Sequence, residues 1–291
     1  MGFPVNPNIS LRNILYATDF SPCSEAALAY AVGLSRRYQS FLTIVNVVPA
    51  EVCVYAQPPD PFFFRHSAEA KMAGLMTSDI FYGIKHQELI KEAEGDIPLV
   101  LCVLIRNLAI DLVVLGTHGR SGVKKVLLGS VSEEIIYSAH CPVLTVGPDV
   151  SRKSMVNLML RRMLCATNLL PGSANALAYS LWLAQHEHAK LTVLHIPEMP
   201  SDRRSAPPEA ASDSVLERLE QLVPRDVGIS VEFIVEIGTP AERILYEAEH
   251  QGADLIVMGS HHTSHPRVTA HLPWVIDHQV LCHARCPVLT V

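Results

Sequence analysis

The sequence has no long apolar run, no paired-cysteine motif and no excess of basic residues. No uninterrupted apolar stretch is longer than Leu99 to Ile105, which Arg106 closes. That is far short of the roughly 20 residues that cross a bilayer, so no membrane span is expected. The opening MGFPVNPNISLRN has no apolar segment behind a basic start, so no signal peptide is expected. Asn6 stands where a myristoylation pattern needs Ser or Thr. The seven cysteines are odd in number, and none falls in a CxxC pair. This argues against a disulfide framework and for a reduced, cytoplasmic chain with free thiols. A formal net charge of −6 supplies no basic surface, and nucleic acid is not an expected partner.

What the sequence does have is apolar content and repetition. Apolar residues make up 49% and charged ones 18% of 291 residues, enough for sizeable cores and a length that suggests two domains. Asn13 to Pro49, NILYATDFSPCSEAALAYAVGLSRRYQSFLTIVNVVP, aligns without a gap on Arg162 to Glu198, RMLCATNLLPGSANALAYSLWLAQHEHAKLTVLHIPE. Further on, IDLVVLGTHG (Ile110 to Gly119) matches ADLIVMGSHH (Ala253 to His262). Each half ends on CPVLTV, from Cys141 and from Cys286. The ordered landmarks mark a duplication, with domains expected at 1–150 and 151–291.

Within each half, short β-branched runs alternate with helical patterns. The first half predicts strands at Asn13 to Ala17, Phe41 to Val48, Ile84 to Ile90, Leu112 to Leu115 and Pro142 to Val146. Ser21-Pro22 predicts a helix opening, with Ser as cap and Pro at the first helical position. Ala26, Leu28, Ala29, Val32 and Leu34 are its expected apolar face. Further helices are expected near Ser67 to Ser78, Leu99 to Asn107 and Ser130 to Ala139. The second half predicts strands at Met163 to Ala166, Leu191 to Ile196, Ser230 to Val235, Leu255 to Met258 and Val288 to Thr290. Mostly apolar strands alternating with helices imply a parallel sheet covered on both faces. Ligands of such sheets sit beyond the carboxyl ends of the strands, where strand order reverses. Asp19 and Gly116 both fall at that edge.

The stretch GTHGRSGVKKVLLGS, Gly116 to Ser130, is the first candidate site. Gly116 and Gly119 allow close backbone approach, and Gly129-Ser130 opens a helix whose N-terminal N–H groups attract anions. Arg120, Lys124 and Lys125 add charge, and Asp19 offers an acceptor for a ribose or base. An ordinary strand-to-helix loop and a phosphate cradle both fit these residues. G-x-x-x-x-G-K-[ST] and G-x-G-x-x-G are both absent, which excludes a P-loop and a dinucleotide fingerprint.

The pattern G-x2-G-x9-G-[S/T], met by Gly116, Gly119, Gly129 and Ser130, resembles the ATP-binding motif of the universal stress protein family. ILYATDFSPCSEAALAYA resembles that family's opening, and GSVSEEIIYSAHCPVLTV its closing helix and strand. The likeness covers essentially the whole chain, twice. It implies two tandem five-stranded parallel-sheet α/β domains, Rossmann-like and adenine-nucleotide-binding, with ATP (with or without Mg2+) at the carboxyl edge. Carried over by position, Ala17, Thr18 and Asp19 would meet the adenosine end, and Val47 would offer backbone groups to adenine. Gly116, Thr117, His118, Gly119 and Arg120 would wrap the ribose and phosphates, with Gly129, Ser130, Val131 and Ser132 around the triphosphate. The resemblance also implies that the last strands, Pro142-Val146 and Pro287-Val291, pair into a pseudo-dimer, and it allows a homodimer.

The second copy departs from the pattern. Asn168 replaces Asp19, His262 replaces Gly119, and Trp274-Val275 stand where Gly129-Ser130 stood. An imidazole and an indole there would obstruct a triphosphate, so this half is expected not to hold ATP. Its third helix, in turn, keeps a regular entry, Gly238-Thr-Pro-Ala-Glu-Arg-Ile, against Gly95-Asp-Ile-Pro-Leu-Val-Leu in the first.

Other residues invite weaker readings. His261, His262, His265, His271, His278 and His283 with Cys282 and Cys286 offer zinc-ligand chemistry, but in no zinc-site spacing, and surface histidines are the expected reading. Ser130, Ser132, His118 and Asp19 form no spaced nucleophile–base set. Cys141 and Cys286 are expected to be buried structural thiols, and PDPFFF (Pro59 to Phe64) to pack on the core. The functional expectation is a cytoplasmic ATP-binding stress or signalling protein with one site, in the first half, and at most weak hydrolysis. The competing expectation is a nucleotide-independent scaffold or metal-responsive module built on the His-rich second half.

Overall fold

The apolar runs that open and close each repeat become buried parallel strands. The computed structural model describes residues 9–50, 62–117, 128–150, 158–197, 208–259 and 276–291. It divides into two units, the first Ser10–Leu158 and the second containing Met159–Val291. The first unit runs β1 (Asn13–Ala17), α1 (Pro22–Tyr38), β2 (Phe41–Pro49), α2 (Phe63–Met76), β3 (His86–Ala93), α3 (Ile97–Asn107), β4 (Leu112–Gly116), α4 (Ser130–Ser138) and β5 (Val143–Val146). The second runs β6 (Arg162–Thr167), α5 (Pro171–Glu187), β7 (Lys190–His195), α6 (Pro208–Leu222), β8 (Val231–Val235), α7 (Pro240–His250), β9 (Leu255–Met258), α8 (Ile276–His283) and β10 (Val288–Thr290).

Each unit is a five-stranded parallel sheet. The strand order is β3-β2-β1-β4-β5 in the first and β8-β7-β6-β9-β10 in the second. The chain steps outward from β1 to β3, then returns to β4 on the other side of β1. Right-handed crossovers therefore put α1 and α2 on one face and α3 and α4 on the other. Order reverses between β1 and β4, which sets the ligand-binding crevice at their carboxyl ends. The inner strands are mostly apolar because both faces are covered: Ile14, Leu15 and Tyr16 are buried, as are Leu42, Ile44, Val45, Val113 and Val114.

Two repeated details fix the strand ends. Asp111, before β4, accepts from the backbone N–H groups of Arg12 and Asn13 at 2.8 and 2.9 Å. Asp254, before β9, accepts from those of Arg161 and Arg162, both at 3.0 Å. Each carboxylate binds N–H donors at the start of the unit's first strand. Helix α1 starts at Pro22, with the Ser21 hydroxyl accepting from the Ser24 N–H, and stops at Gln39 in the left-handed region. Helix α5 stops the same way at His188 (φ 52°).

Gly116, at the end of β4, marks a close helix–strand approach in the first unit. A Cβ there would lie 2.7 Å from the Cys23 carbonyl carbon and 2.8 Å from the Ser24 nitrogen. Gly259 repeats this in the second unit, where a Cβ would meet the Gly172 carbonyl oxygen at 2.8 Å. These contacts are backbone, which cannot swing aside as a side chain can.

Several expected boundaries shift. Helix α2 begins at Phe63 rather than Ser67, α3 at Ile97 rather than Leu99, and β3 spans His86–Ala93 rather than Ile84 to Ile90. The buried face of α1 is Ala27, Leu28, Ala31, Val32 and Leu34; Ala26 and Ala29 are only partly covered. The PDPFFF expectation fails for Phe62 and Phe63, which are 57% and 43% exposed, while Phe64 is half-buried; Pro59 to Pro61 lie outside the described residues. Cys141 and Cys286 are half-buried, while among the described residues Cys165 and Cys282 are the fully buried thiols. Burial still pushes the Cys141 thiol up to about 12, so it stays protonated and unreactive at neutral pH.

Gly116→Ala is expected to destabilise the first unit. The gain from a stiffer unfolded chain is about 0.4–1 kcal/mol, but the forced backbone shift costs about 1–3 kcal/mol, so the clash wins. Gly259→Ala should act the same way on the second unit, and urea titration of each variant measures both losses. A control at Gly74, where an added Cβ meets nothing within 4 Å, should not destabilise, because α2 loses only a poor helix former.

Candidate functional site

The turn from β1 into α1 is held by its own side chains. The Thr18 hydroxyl accepts from the Phe20 N–H at 2.9 Å, and Asp19 Oδ1 accepts from the Ser21 N–H at 3.0 Å. The Ser24 hydroxyl donates to the Ser21 carbonyl at 2.9 Å and lies 3.1 Å from the Thr18 hydroxyl. The bonds hold Phe20 at φ 61°, a left-handed conformation that a bulky residue keeps only when its surroundings impose it. The second unit repeats the turn: Thr167 accepts from Leu169, Asn168 Oδ1 accepts from Leu170 at 3.0 Å, and Leu169 has φ 60°. An amide thus makes the same turn bond as a carboxylate. The charge on Asp19 is not needed to fold the turn.

Beneath the turn, the Tyr16 hydroxyl donates to the Ser24 carbonyl at 2.7 Å. Desolvation pushes this phenol up to about 12, so it is a neutral donor that ties β1 to the first turn of α1.

Strand β2 runs past the end of β1. Their ladder stops at Ala17 opposite Val45, closed by the Thr18 N–H donating to the Val45 carbonyl at 2.9 Å. Backbone groups alternate sides along a strand. The N–H and C=O of Val47 therefore point the same way as the Val45 carbonyl, beyond the last paired residue of β1. Between them, buried Asn46 donates from Nδ2 to the Thr18 carbonyl at 2.6 Å, and its Oδ1 has no partner among the described residues. The counterpart in the second unit is His195, whose Nδ1 lies 2.8 Å from the Thr167 carbonyl.

Helix α4 closes the site from the other side. Its cap is Gly129, whose N–H donates to the Thr117 carbonyl at 2.7 Å; no side chain caps the helix. The first intrahelical bond is from the Glu133 N–H to the Gly129 carbonyl. The N–H groups of Ser130, Val131 and Ser132 thus have no acceptor within the helix. The Ser132 hydroxyl donates to the Gly116 carbonyl at 2.7 Å, pinning the first turn of α4 to the end of β4.

These pieces enclose a cavity of about 200 Å³ at the carboxyl edge. Of the expected site residues, Ala17, Thr18, Asp19, Val47, Gly116, Gly129, Ser130, Val131 and Ser132 line it. Thr117 does not: it is fully buried, with its N–H on the Val146 carbonyl at 3.0 Å, and it serves as a strand-to-strand tie. His118, Gly119 and Arg120 lie outside the described residues, as do Lys124 and Lys125. Gly116 needs correcting in part, because the missing Cβ makes room for α1, not only for a ligand. Sequence reasoning missed the apolar wall, namely Val45, Ile97, Leu101 and Leu115, together with Ser24. It also missed Lys71 of α2, whose ammonium lies 5.8 Å from the Phe20 ring centroid. Chemically the cavity has an apolar floor, one carboxylate at one end and three helix N–H donors at the other.

The alternative sites fare differently. Among the described residues no group of three His, Cys, Asp or Glu side chains is placed to hold a metal ion. His278 and Cys282 are buried neighbours, Nδ1 to Sγ 3.8 Å, and His283 is exposed. His261, His262, His265 and His271 lie outside the described residues, as do Trp274 and Val275. In the imagined hydrolytic set, Ser132 and Asp19 are each engaged with backbone groups. No helix among the described residues is long and apolar enough to cross a membrane.

Comparison with known proteins agrees with the duplicated fold. A universal stress protein of Staphylococcus epidermidis is 33% identical over 141 residues, covering 47% of this chain and 85% of its own length. One from Staphylococcus aureus matches at the same identity and coverage. Among solved structures, a universal stress protein from Archaeoglobus fulgidus superposes with a TM-score of 0.73 at 21% identity, covering 97% of this chain and 96% of that one. One from Pseudomonas aeruginosa gives 0.63 at 15% identity, covering 97% and 93%. At those identities the likeness speaks for the fold alone. The family model for universal stress proteins matches twice, at residues 10–147 and 159–291. The chain therefore belongs to the universal stress protein family, as a tandem of two of its domains.

Proposed function

We propose that the chain is a cytoplasmic ATP-binding stress or signalling protein whose one nucleotide site lies in the first unit. The observation that carries this reading is the cavity between the Asp19 turn and the N-terminus of α4. A ligand with an apolar, hydrogen-bonding base at one end and an anionic group at the other matches that arrangement. Val47 offers a backbone donor and acceptor to the edge of a base, Asp19 an acceptor for ribose hydroxyls, and Val45, Ile97, Leu101 and Leu115 an apolar wall. The N–H groups of Ser130, Val131 and Ser132, at the positive end of the helix dipole, suit phosphate oxygens. If Mg2+ accompanies the nucleotide, its charge would be met chiefly by the phosphates themselves.

The second unit supports the proposal by contrast. It keeps the turn geometry but carries Asn168 in place of Asp19, so its turn lacks the charge that would recognise a ribose. Among the described residues that line the cavity, Ser132 and Asp19 are engaged with backbone groups rather than with each other, and we read the site as one for binding. Binding without rapid turnover is the consequence, with nucleotide biasing a conformation or an assembly.

Mass spectrometry of the denatured, purified protein should release an adenine nucleotide in about equimolar amount; stoichiometric zinc in its place would favour the metal-responsive module. Asp19→Asn isolates the charge, because Asn168 already shows that an amide closes this turn. Calorimetry should find ATP bound about ten-fold more weakly, close to 1.4 kcal/mol, with the thermal midpoint unchanged. An unchanged affinity would place the nucleotide elsewhere. Asn46→His should leave stability within about 1 kcal/mol, since it copies His195 and removes an orphaned acceptor, whereas Asn46→Leu should cost about 1–3 kcal/mol by stranding the Thr18 carbonyl.

A further inference from the structure

The two sheets end on different outer strands. Strand β3 closes the first sheet and β8 the second, and each is paired on one side only among the described residues. Strand β3, HQELIKEA, presents exposed Glu88, Lys91 and Glu92, and Arg65 of α2 binds Glu92 at 2.9 Å. Charges of this kind keep an open edge from pairing with other chains. Strand β8, VEFIV, has no such guard. Its five residues are all half-exposed, its pairing with β7 is unbroken from Val231 to Val235, and it contains no proline. Its single charge, Glu232, is tied sideways to Lys190 of β7 at 2.6 Å. Beside it, between the strand and the end of α6, lies an open groove of about 750 Å³. Val231 and Phe233 of the strand and Val223 and Ile229 of the connection form its apolar part, with Glu217 and Glu220 on the rim.

We propose that β8 is a homotypic docking edge, on which β8 of a second copy adds as an antiparallel strand. The chemistry of the edge calls for an extended backbone, because a row of outward N–H and C=O groups is satisfied by another strand. Its sequence selects a copy of itself. A two-fold axis normal to the sheet necessarily sets the strands antiparallel, and centred on Phe233 it gives a register without a charge conflict. Phe233 faces Phe233 of the second copy, Val231 faces Val235, and Glu232 faces Ile234. The same rotation keeps each face of the sheet on its own side. Val231, Phe233 and Val235 of the added strand therefore point to the grooved side, where apolar surface is open. Strand β3, by contrast, carries three exposed charges and an exposed histidine within eight residues. The proposal does not depend on nucleotide and stands or falls separately from the cavity of the first unit.

The register makes opposite predictions for two similar substitutions. Ile234→Glu sets a glutamate opposite Glu232, twice per dimer; Ile234→Lys sets a lysine there instead. Sedimentation of the full chain should show a dimer for wild type, a dissociation constant raised about ten-fold or more for Ile234→Glu, and one within about three-fold of wild type for Ile234→Lys. Circular dichroism checks that both variants remain folded. Should Ile234→Glu not fold, Phe233→Cys replaces it: a residue on the axis should give a reductant-sensitive covalent dimer with mild oxidant, above the wild-type background. A monomeric wild type, equal affinities for Ile234→Glu and wild type, or equal losses for both charged variants would overturn the proposal.

Discussion

The close approach of the first helix to the fourth strand holds the site together. At Gly116 there is no room for a single methyl group against Cys23 and Ser24. That contact sets the height of α1 over the sheet and so the position of the Thr18–Ser21 turn. The turn presents Asp19, and Ser24 links the turn to the helix through the Tyr16 and Thr18 hydroxyls. On the other side, the Gly116 carbonyl receives the Ser132 hydroxyl, which fixes the first turn of α4. One small residue thus stands between the two elements whose separation defines the cavity. Gly259 holds the same position against Gly172 and Ser173 in the second unit, and both copies depend on it.

Much of this arrangement was legible in the sequence, for identifiable reasons. The inner strands are short and apolar on both faces, so each appears as an uninterrupted run such as Leu112 to Leu115. Ser21-Pro22 and Gly129-Ser130 announce helix starts by local chemistry, and they appear where expected. Outer elements were harder. Strand β3 mixes charges with apolar residues, so its period is ambiguous and its bounds shifted by a few residues. Helix α2 starts on Phe63, in an aromatic run that suggests burial, yet Phe62 and Phe63 face solvent.

Contacts distant along the chain were the least legible. Gly116 is recognisable as a turn-forming glycine, but the atoms that forbid a Cβ lie more than 90 residues earlier in the sequence. The apolar wall of Val45, Ile97, Leu101 and Leu115 comes from three separate elements, each of which alone looks like ordinary core. The bonds of Asp111 and Asp254 to the first strand of each unit are likewise invisible locally. The repeat does offer a signal for them: an aspartate at the same landmark in both copies, just before the same apolar run.

The duplication also separates what folding requires from what it leaves free. Where both copies share a feature, the fold accounts for it: the glycine under the first helix, the left-handed residue in the turn, the aspartate at the strand entry. Where they differ within the same geometry, folding has no stake in the difference. Asp19 and Asn168 make the same turn bond, so the extra charge on Asp19 is not something the turn requires. Asn46 and His195 both reach the carbonyl of the preceding strand's end, so either suffices for the scaffold. The outer strands follow the same logic, since β3 and β8 close equivalent sheets but β3 carries three exposed charges and β8 a single half-exposed one. A parallel sheet tolerates both, because its stability comes from buried faces rather than from its rim. The differences between the copies therefore collect at the carboxyl edge and the outer strand, the two places where this fold can change without unfolding.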